Sequence, residues 1–206
     1  CGDRSETMTL TKDERYFPPY VYVSTGIKGE IGKTYKITAE YGGKIAYAET
    51  SIPEPVEIDT TYFIINDNSD SSGVLFVEFT DPPAKNYYRI FSRIVNEEKT
   101  FIPASVSALD DIFFNGKKFG FSLSRSSENF LLEEEKQFFL KGQTVVVKLC
   151  TIDEPHFEFW SSFMDEVLNA NNPFAASLTE VKSNVKGDGL GIWGGYGVST
   201  MEITID

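Results

Sequence analysis

A glycine-rich stretch near the end of the chain has the spacing of a nucleotide-binding loop. Residues 189–194 read Gly-Leu-Gly-Ile-Trp-Gly, the G-x-G-x-x-G pattern that holds a dinucleotide pyrophosphate at a helix N-terminus. That chemistry needs a helix directly after the glycines and an acidic residue about twenty positions later. Residues 198–205 instead alternate like a strand. We therefore predict no cofactor and interpret the stretch as a loop whose backbone packs closely.

Two aromatic residues in and beside this loop are the candidate binding residues. Trp193 and Tyr196 would form a stacking surface for a sugar or a peptide if both side chains faced outward together. The alternative is that Trp193 anchors the loop by burial. The direction of the two rings decides between these interpretations.

Asp67, Asn68 and Asp70 are the candidate metal ligands. They lie in the segment 66–73, Asn-Asp-Asn-Ser-Asp-Ser-Ser-Gly, whose side-chain oxygens suit a hard cation such as Ca²⁺. The spacing does not match the helix-loop-helix calcium pattern, and no glutamate closes the loop. We therefore expect no bound metal and a polar connection between two strands.

The sequence offers no recognisable constellation for nucleophilic or acid–base catalysis. His156 is the only histidine, and it falls in the first turn of a predicted helix. Cys150 lies in an apolar, strand-like run, where a thiol acts as a small apolar side chain. A glycosidase needs two carboxylates across a cleft, and adjacent acids occur at Asp110-Asp111, Glu97-Glu98 and Glu133–Glu135. We predict no catalytic residues and no enzyme, with a carboxylate-dependent hydrolase, for example a glycan-acting one, as the alternative.

The net charge of −12 limits the partners. An anionic surface repels phosphates, so we expect no nucleic acid partner. No apolar run reaches the roughly 20 residues of a membrane-spanning helix, and contact with a membrane would therefore require a lipid anchor. Cys1 is either the lipidated start of a processed lipoprotein or the start of a fragment, and a disulfide between Cys1 and Cys150 is a further alternative.

Alternation of apolar and polar residues predicts a mainly β protein. Two alternating segments, 33–41 and 44–50, flank Gly42-Gly43, which is the signal of a β-hairpin. Further strands are predicted at 61–65, 73–79, 86–95, 118–124, 144–152 and 198–205.

One helix is expected at residues 155–169, with Asp153 as its N-cap. Its apolar residues recur at three- and four-residue steps and form one stripe that packs on a sheet. They are Phe157, Trp160, Met164, Val167 and Leu168.

These elements predict a β-sandwich of the immunoglobulin or prealbumin type with one main α-helix. Pro53 and Pro55 mark a boundary between a small β-domain or partial sandwich at 1–57 and a larger sandwich at 58–206.

Five segments in order resemble a known family: 29–59, 77–90, 109–119, 141–153 and 172–197. They are similar to the Bacteroidota envelope lipoproteins grouped as domain-of-unknown-function family 4249. The resemblance implies a mostly β, lipid-anchored protein of the outer envelope, found beside TonB-dependent outer-membrane transporters, with no established catalytic residues. Family members usually carry a longer N-terminal β-domain before the segment 33–41 than this sequence has.

From this resemblance we expect a non-enzymatic binding or accessory protein of the cell envelope, either in the outer membrane or facing the periplasm or cell surface. Its partner would be a TonB-dependent outer-membrane nutrient transporter or a glycan or peptide ligand. Besides the hydrolase, the alternative is a purely structural envelope module, which would lack a large apolar surface patch.

Overall fold

The computed structural model describes residues 4–16, 18–125, 137–170 and 180–206. These ranges contain thirteen β-strands and one α-helix. In chain order the elements are β1 (Thr9–Lys12), β2 (Tyr20–Val23), β3 (Thr34–Tyr41), β4 (Lys44–Ser51), β5 (Ile58–Ile65), β6 (Ser72–Thr80), β7 (Tyr87–Ile94), β8 (Ile102–Asp110), β9 (Lys118–Leu123), β10 (Phe139–Leu140), β11 (Thr144–Ile152), α1 (Glu154–Ala170), β12 (Lys186–Gly187) and β13 (Gly197–Thr204).

Two antiparallel sheets enclose the main apolar core. Sheet 2 joins β5, β9 and β10 to β6, and sheet 3 has the strand order β13-β11-β7-β8. Large side chains from both sheets are fully buried between them, including Phe79 and Phe139 from sheet 2 and Tyr88 and Leu149 from sheet 3. The predicted mainly β fold with one helix is confirmed, and the two packed sheets are consistent with a sandwich.

Sheet 3 is covered on both faces, which makes the molecule three layers deep at this point. Successive side chains of a strand point to opposite faces, so on β7 Tyr88 enters the sandwich core while Tyr87 and Phe91 join a second apolar cluster. Helix α1 packs on this second face, where Phe157 stacks on Tyr87 with 5.0 Å between the ring centroids. We call this second face the outer face of sheet 3.

The predicted hairpin is confirmed as β3 and β4. The two strands pair in register along their whole length, and Gly42 and Gly43 adopt φ angles of 58° and 80° at the turn. The short strand β12 pairs with β4 and completes sheet 1, with the strand order β12-β4-β3. Sheet 1 therefore combines residues from both sides of residue 57, and the division into domains 1–57 and 58–206 stays a prediction.

The predicted helix is confirmed as α1, and Asp153 is its N-cap. Asp153 Oδ1 accepts a hydrogen bond from the backbone N–H of His156 at 3.1 Å. Its other oxygen accepts hydrogen bonds from the Thr50 hydroxyl at 2.7 Å and from the Ser51 N–H at 3.2 Å. One carboxylate therefore starts the helix and ties it to the end of β4.

Of the predicted apolar stripe, Phe157 and Trp160 contact residues of sheet 3. Met164 and Val167 are half-buried, and the side chain of Leu168 lies outside the described residues. In the ranges that the structure describes, no helix combines the length and the apolar character that crossing a membrane requires.

We expect Asp153→Ala to lower the free energy of unfolding by about 2–3 kcal/mol. The substitution removes an N-cap and also leaves Thr50 and Ser51 without their charged acceptor. Urea unfolding followed by circular dichroism measures the loss. The control is Asp165→Ala, an exposed position on the same helix, which should change stability by less than about 0.5 kcal/mol. Equal effects of the two substitutions would contradict the role assigned to Asp153.

Candidate functional site

The glycine-rich loop approaches other segments so closely that larger residues do not fit. A Cβ at Gly195 would lie 2.5 Å from the Ser51 carbonyl oxygen, and one at Gly197 would lie 2.2 Å from the Pro53 carbonyl oxygen. Strand β13 begins at Gly197, where a pyrophosphate site needs a helix. The glycines therefore serve close backbone packing between this loop and the end of β4.

Trp193 and Tyr196 do not face outward together. Trp193 is half-buried, and its indole N–H donates to the Tyr35 carbonyl oxygen at 3.2 Å. The Tyr196 ring meets the His156 ring edge-on, with 4.8 Å between the centroids, and lies 6.1 Å from the ring of Phe91. Trp193 thus fixes the loop to sheet 1, whereas Tyr196 lies between α1 and sheet 3. A role in ligand binding stays a prediction for both residues.

The predicted metal ligands Asp67, Asn68 and Asp70 are exposed in the turn between β5 and β6. The turn is closed by its own backbone, since the Asn66 N–H donates to the Ser72 carbonyl oxygen at 2.9 Å. Across the described part of the chain, no three His, Cys, Asp or Glu side chains are gathered so that they could hold a metal ion.

Two of the adjacent carboxylates, Asp111 and Glu98, hold the backbone or a cation. Asp111 is 2% exposed and accepts the Asn86 N–H at 2.7 Å. Glu98 forms an ion pair with Arg125. Glu133–Glu135 lie outside the described residues.

Cys150 is a free thiol buried on the outer face of sheet 3. Burial raises the pKa of this thiol to about 11, so it stays protonated and acts as a small apolar side chain. The alternative of a disulfide with Cys1 stays a prediction. Cys1 itself lies outside the described residues.

A line of cations crosses the outer face of sheet 3, and we call Arg89, Lys148 and Arg93 the cation strip. Arg89 and Arg93 lie on β7, and Lys148 pairs across from Phe91, which lies between them. The two arginines are four strand positions apart, about 13 Å along the sheet. Within the described ranges, no carboxylate forms an ion pair with any of the three.

Arg89 is held by aromatic rings and neutral hydroxyls. Its Cζ lies 3.8 Å from the ring centroid of Trp160 and 4.7 Å from that of Phe91. Its two Nη groups donate to the hydroxyls of Tyr196 and Ser107, each at 3.3 Å. The side chain is only 4% exposed, and burial lowers the pKa of its guanidinium. A buried positive charge is thus stabilised by π-electrons and dipoles instead of by a counterion.

Lys148 and Arg93 also lie against aromatic rings, and both are more exposed to solvent than Arg89. Lys148 Nζ lies 4.3 Å from the ring centroids of both Phe91 and Phe101, and Arg93 Cζ lies 5.2 Å from that of Phe101. Burial lowers the pKa of Lys148, and the charge of Arg89 lowers it further. The two cations therefore lie close enough to repel each other.

Several N–H donors in this layer are buried without an acceptor. Among the described residues, Arg89 Nε, Arg93 Nε and Trp160 Nε1 have no hydrogen-bond partner. Leaving a buried donor unsatisfied costs about 1–3 kcal/mol. The outer face of sheet 3 therefore offers both positive charge and free donors.

His156 borders the strip and carries no charge at neutral pH. It is 2% exposed, and burial lowers its pKa to about 4, with the charge of Arg89 acting in the same direction and that of Asp153 opposing it. A Cβ at Gly194 would lie 2.2 Å from His156 Nδ1, so the glycine loop closes directly over the ring.

A cavity of about 560 Å³ lies between sheet 1 and the start of α1. Two of its lysines are paired within the lining, Lys36 with Glu49 at 2.9 Å and Lys182 with Glu158 at 2.5 Å, while Lys186 has no ion pair among the described residues. The cation strip has no such internal compensation and is the stronger candidate for a binding site.

The sequence pointed to Tyr196 and Trp160, which both contact Arg89, but not to the three cations. Arg89 stands in the predicted strand 86–95, and Lys148 interrupts the apolar run 144–152. A lysine at the centre of an otherwise apolar strand was the one signal that pointed to this site.

The fold and the site define a class of protein: a β-sandwich whose helix covers a cation-lined sheet face. The chain belongs to the family described as domain of unknown function (DUF4249), whose model matches residues 2–202. The resemblance seen in the five sequence segments is thereby confirmed, while the lipoprotein and Bacteroidota aspects stay predictions. Neither a curated protein nor a solved structure matches the chain.

We expect protonation of His156 to destabilise the fold in acid. Its folded pKa of about 4 lies below the unfolded value, so stability is fully present above about pH 6.5 and is lost as the pH falls toward 4. The pKa difference predicts a loss of about 3 kcal/mol. Urea unfolding between these pH values measures it.

His156→Gln is the matched comparison, because the chain has no other histidine. The carboxylates of the variant still titrate. The pH dependence of its free energy of unfolding should lack only the part that His156 causes. Parallel stability curves for the two proteins would show that His156 is not the group responsible.

Proposed function

We propose that this chain is a non-enzymatic binding protein that holds a ligand between α1 and the outer face of sheet 3. The observation that carries the proposal is the pair of buried, unpartnered donors Arg89 Nε and Trp160 Nε1. Folded proteins satisfy nearly all of their buried polar groups. Acceptor atoms of a ligand are the natural partners for these donors.

The exposure of the cation strip supplies a route to the site. Arg89 is buried under Trp160, whereas Lys148 and Arg93 are partly exposed. Lys148 and Arg93 are therefore the part of the strip that a ligand would meet first.

We also propose that the protein works in the cell envelope beside an outer-membrane nutrient transporter, with a lipid anchor as its attachment. The family membership and the resemblance of the five segments support this location. Exposed tyrosines provide a surface for such a partner, because tyrosine is enriched at protein interfaces. Tyr22 on β2 is 68% exposed, and Tyr41 at the hairpin turn is 90% exposed.

Ligand retention should depend on Trp160. We expect protein isolated from its native envelope to carry a small molecule that native mass spectrometry detects. Trp160→Phe keeps a ring above Arg89 but removes the free indole N–H, so affinity should fall about fivefold or more. Trp193→Phe is the matched control, because its indole donates to Tyr35 within the protein. Equal retention by both variants, or no bound mass in the unmodified protein, would refute the binding proposal.

The transporter part of the proposal has its own test. A photo-crosslinking amino acid at Tyr22 or Tyr41 should form an adduct with a β-barrel transporter in intact cells. The same probe at Tyr62, which is 42% exposed on sheet 2, is the control position. If adducts at the three positions are indistinguishable, the tyrosine surface has no specific partner.

A further inference from the structure

We infer that the ligand held on the cation strip carries an oxyanion, meaning a carboxylate, a sulfate or a phosphate, which Arg89 and Lys148 bind together. This inference rests on the proposed function, because it names the chemistry of the ligand in the same site. The three oxyanions share the property that matters here, a negative charge spread over two or more acceptor oxygens.

The distribution of charge points to an anionic ligand. The chain has 31 acidic and 19 basic side chains, so a shortage of carboxylates does not explain an unpaired cation. Two lysines of other strands do have partners: Lys36 pairs with Glu49 and Lys118 with Glu78. The cation strip, within the described ranges, is where positive charge gathers without this compensation.

Acidic residues near the strip also fail to neutralise it. Glu202 shares the outer face of sheet 3, since it pairs across from Val146, which in turn pairs across from Arg93. No ion pair joins Glu202 to Lys148 or Arg93 among the described residues. An external anion would supply the negative charge that the described residues do not.

The geometry of Arg89 also suits an oxyanion. Oxyanions bind a guanidinium in its plane, along the N–H bonds, and not over its face. The ring of Trp160 lies over Arg89 at 3.8 Å from Cζ, and the two Nη groups already reach Tyr196 and Ser107. The Nε–H is left in the plane without an acceptor. The aromatic ring orients the guanidinium while an N–H stays available.

Lys148 lies close enough to Arg89 for both to bind one anion. Cys150 pairs across from Arg89, and Lys148 stands two residues earlier on β11, which makes Lys148 and Arg89 diagonal neighbours on one face. Diagonal neighbours lie about 7–8 Å apart at the backbone, within reach of one shared anion for such long side chains. Their mutual repulsion, which contributes to the lowered pKa of Lys148, would be relieved by that anion.

The experiment compares acetate, sulfate and inorganic phosphate with chloride at equal ionic strength, because screening alone changes stability. Thermal unfolding and Trp160 fluorescence in a Trp193→Phe background are the readouts. At about a hundredfold excess over its Kd, the preferred oxyanion should raise the Tm by about 5 °C or more. The anion that acts at the lowest concentration identifies the source of the charge.

Three variants locate the effect. Arg89→Met and Lys148→Met should lose the oxyanion-dependent rise in Tm, whereas Lys118→Met, which removes a paired strand lysine of sheet 2, should retain it. In chloride alone, Arg89→Met should melt at a temperature equal to or above that of the unmodified protein, because it removes a buried charge that lacks a counterion. If Arg89→Met does not fold, Lys148→Met still tests whether the oxyanion binds at this site.

The outcomes separate this inference from the proposed function. If Arg89→Met and Lys148→Met keep the full oxyanion effect, the anion binds elsewhere and the inference is wrong. If no oxyanion acts and the co-purified ligand is neutral but still depends on Trp160, the inference is wrong and the proposed function stands. If ligand retention is also independent of Trp160, both fail.

Discussion

The candidate site depends on the carboxylate of Asp153, which ties α1 to the end of β4. One oxygen caps α1 at the N–H of His156, and the other accepts hydrogen bonds from Thr50 and Ser51 at the end of β4. The helix is therefore fixed at its first turn, and its direction over sheet 3 follows from that point. Because Trp160 lies less than two turns later, its place above Arg89 depends on the same cap.

A second constraint follows from the first through Thr50. The Thr50 hydroxyl donates to Asp153 and accepts the N–H of Gly195 at 2.9 Å, which brings the glycine loop against both β4 and α1. Gly194 then lies directly against His156, where a Cβ would overlap the imidazole ring. The same approach delivers Tyr196 to Arg89. The glycine pattern thus reflects a chain of close contacts that ends at the cation strip, and the helix required by a dinucleotide site is replaced by β13.

Local signals carried the predictions that the structure confirmed. Gly42-Gly43 between alternating runs is sufficient for the hairpin, and Asp153 before a periodic apolar segment is sufficient for α1. Strand β8 was not predicted because it begins with Ile102-Pro103 and continues with small residues, which weakens the alternating pattern. The candidate site could not be predicted from local signals, because packing between distant segments decides which face of β7 the helix covers. The alternation in β7 shows that Arg89 and Tyr88 point to opposite faces of sheet 3, but it does not show which residues cover Arg89.

The cation strip is better explained by function than by stability. Burying an ion without a partner opposes folding, and the rings of Trp160, Phe91 and Phe101 offset only part of that cost, since a cation–π contact contributes about 0.5–2 kcal/mol. An apolar side chain at Arg89 would fill the same layer without desolvating a charge. Binding of the oxyanion inferred above would remove the repulsion and satisfy the free donors at once. On that inference, ligand binding and the stability of the outer layer are coupled through Arg89.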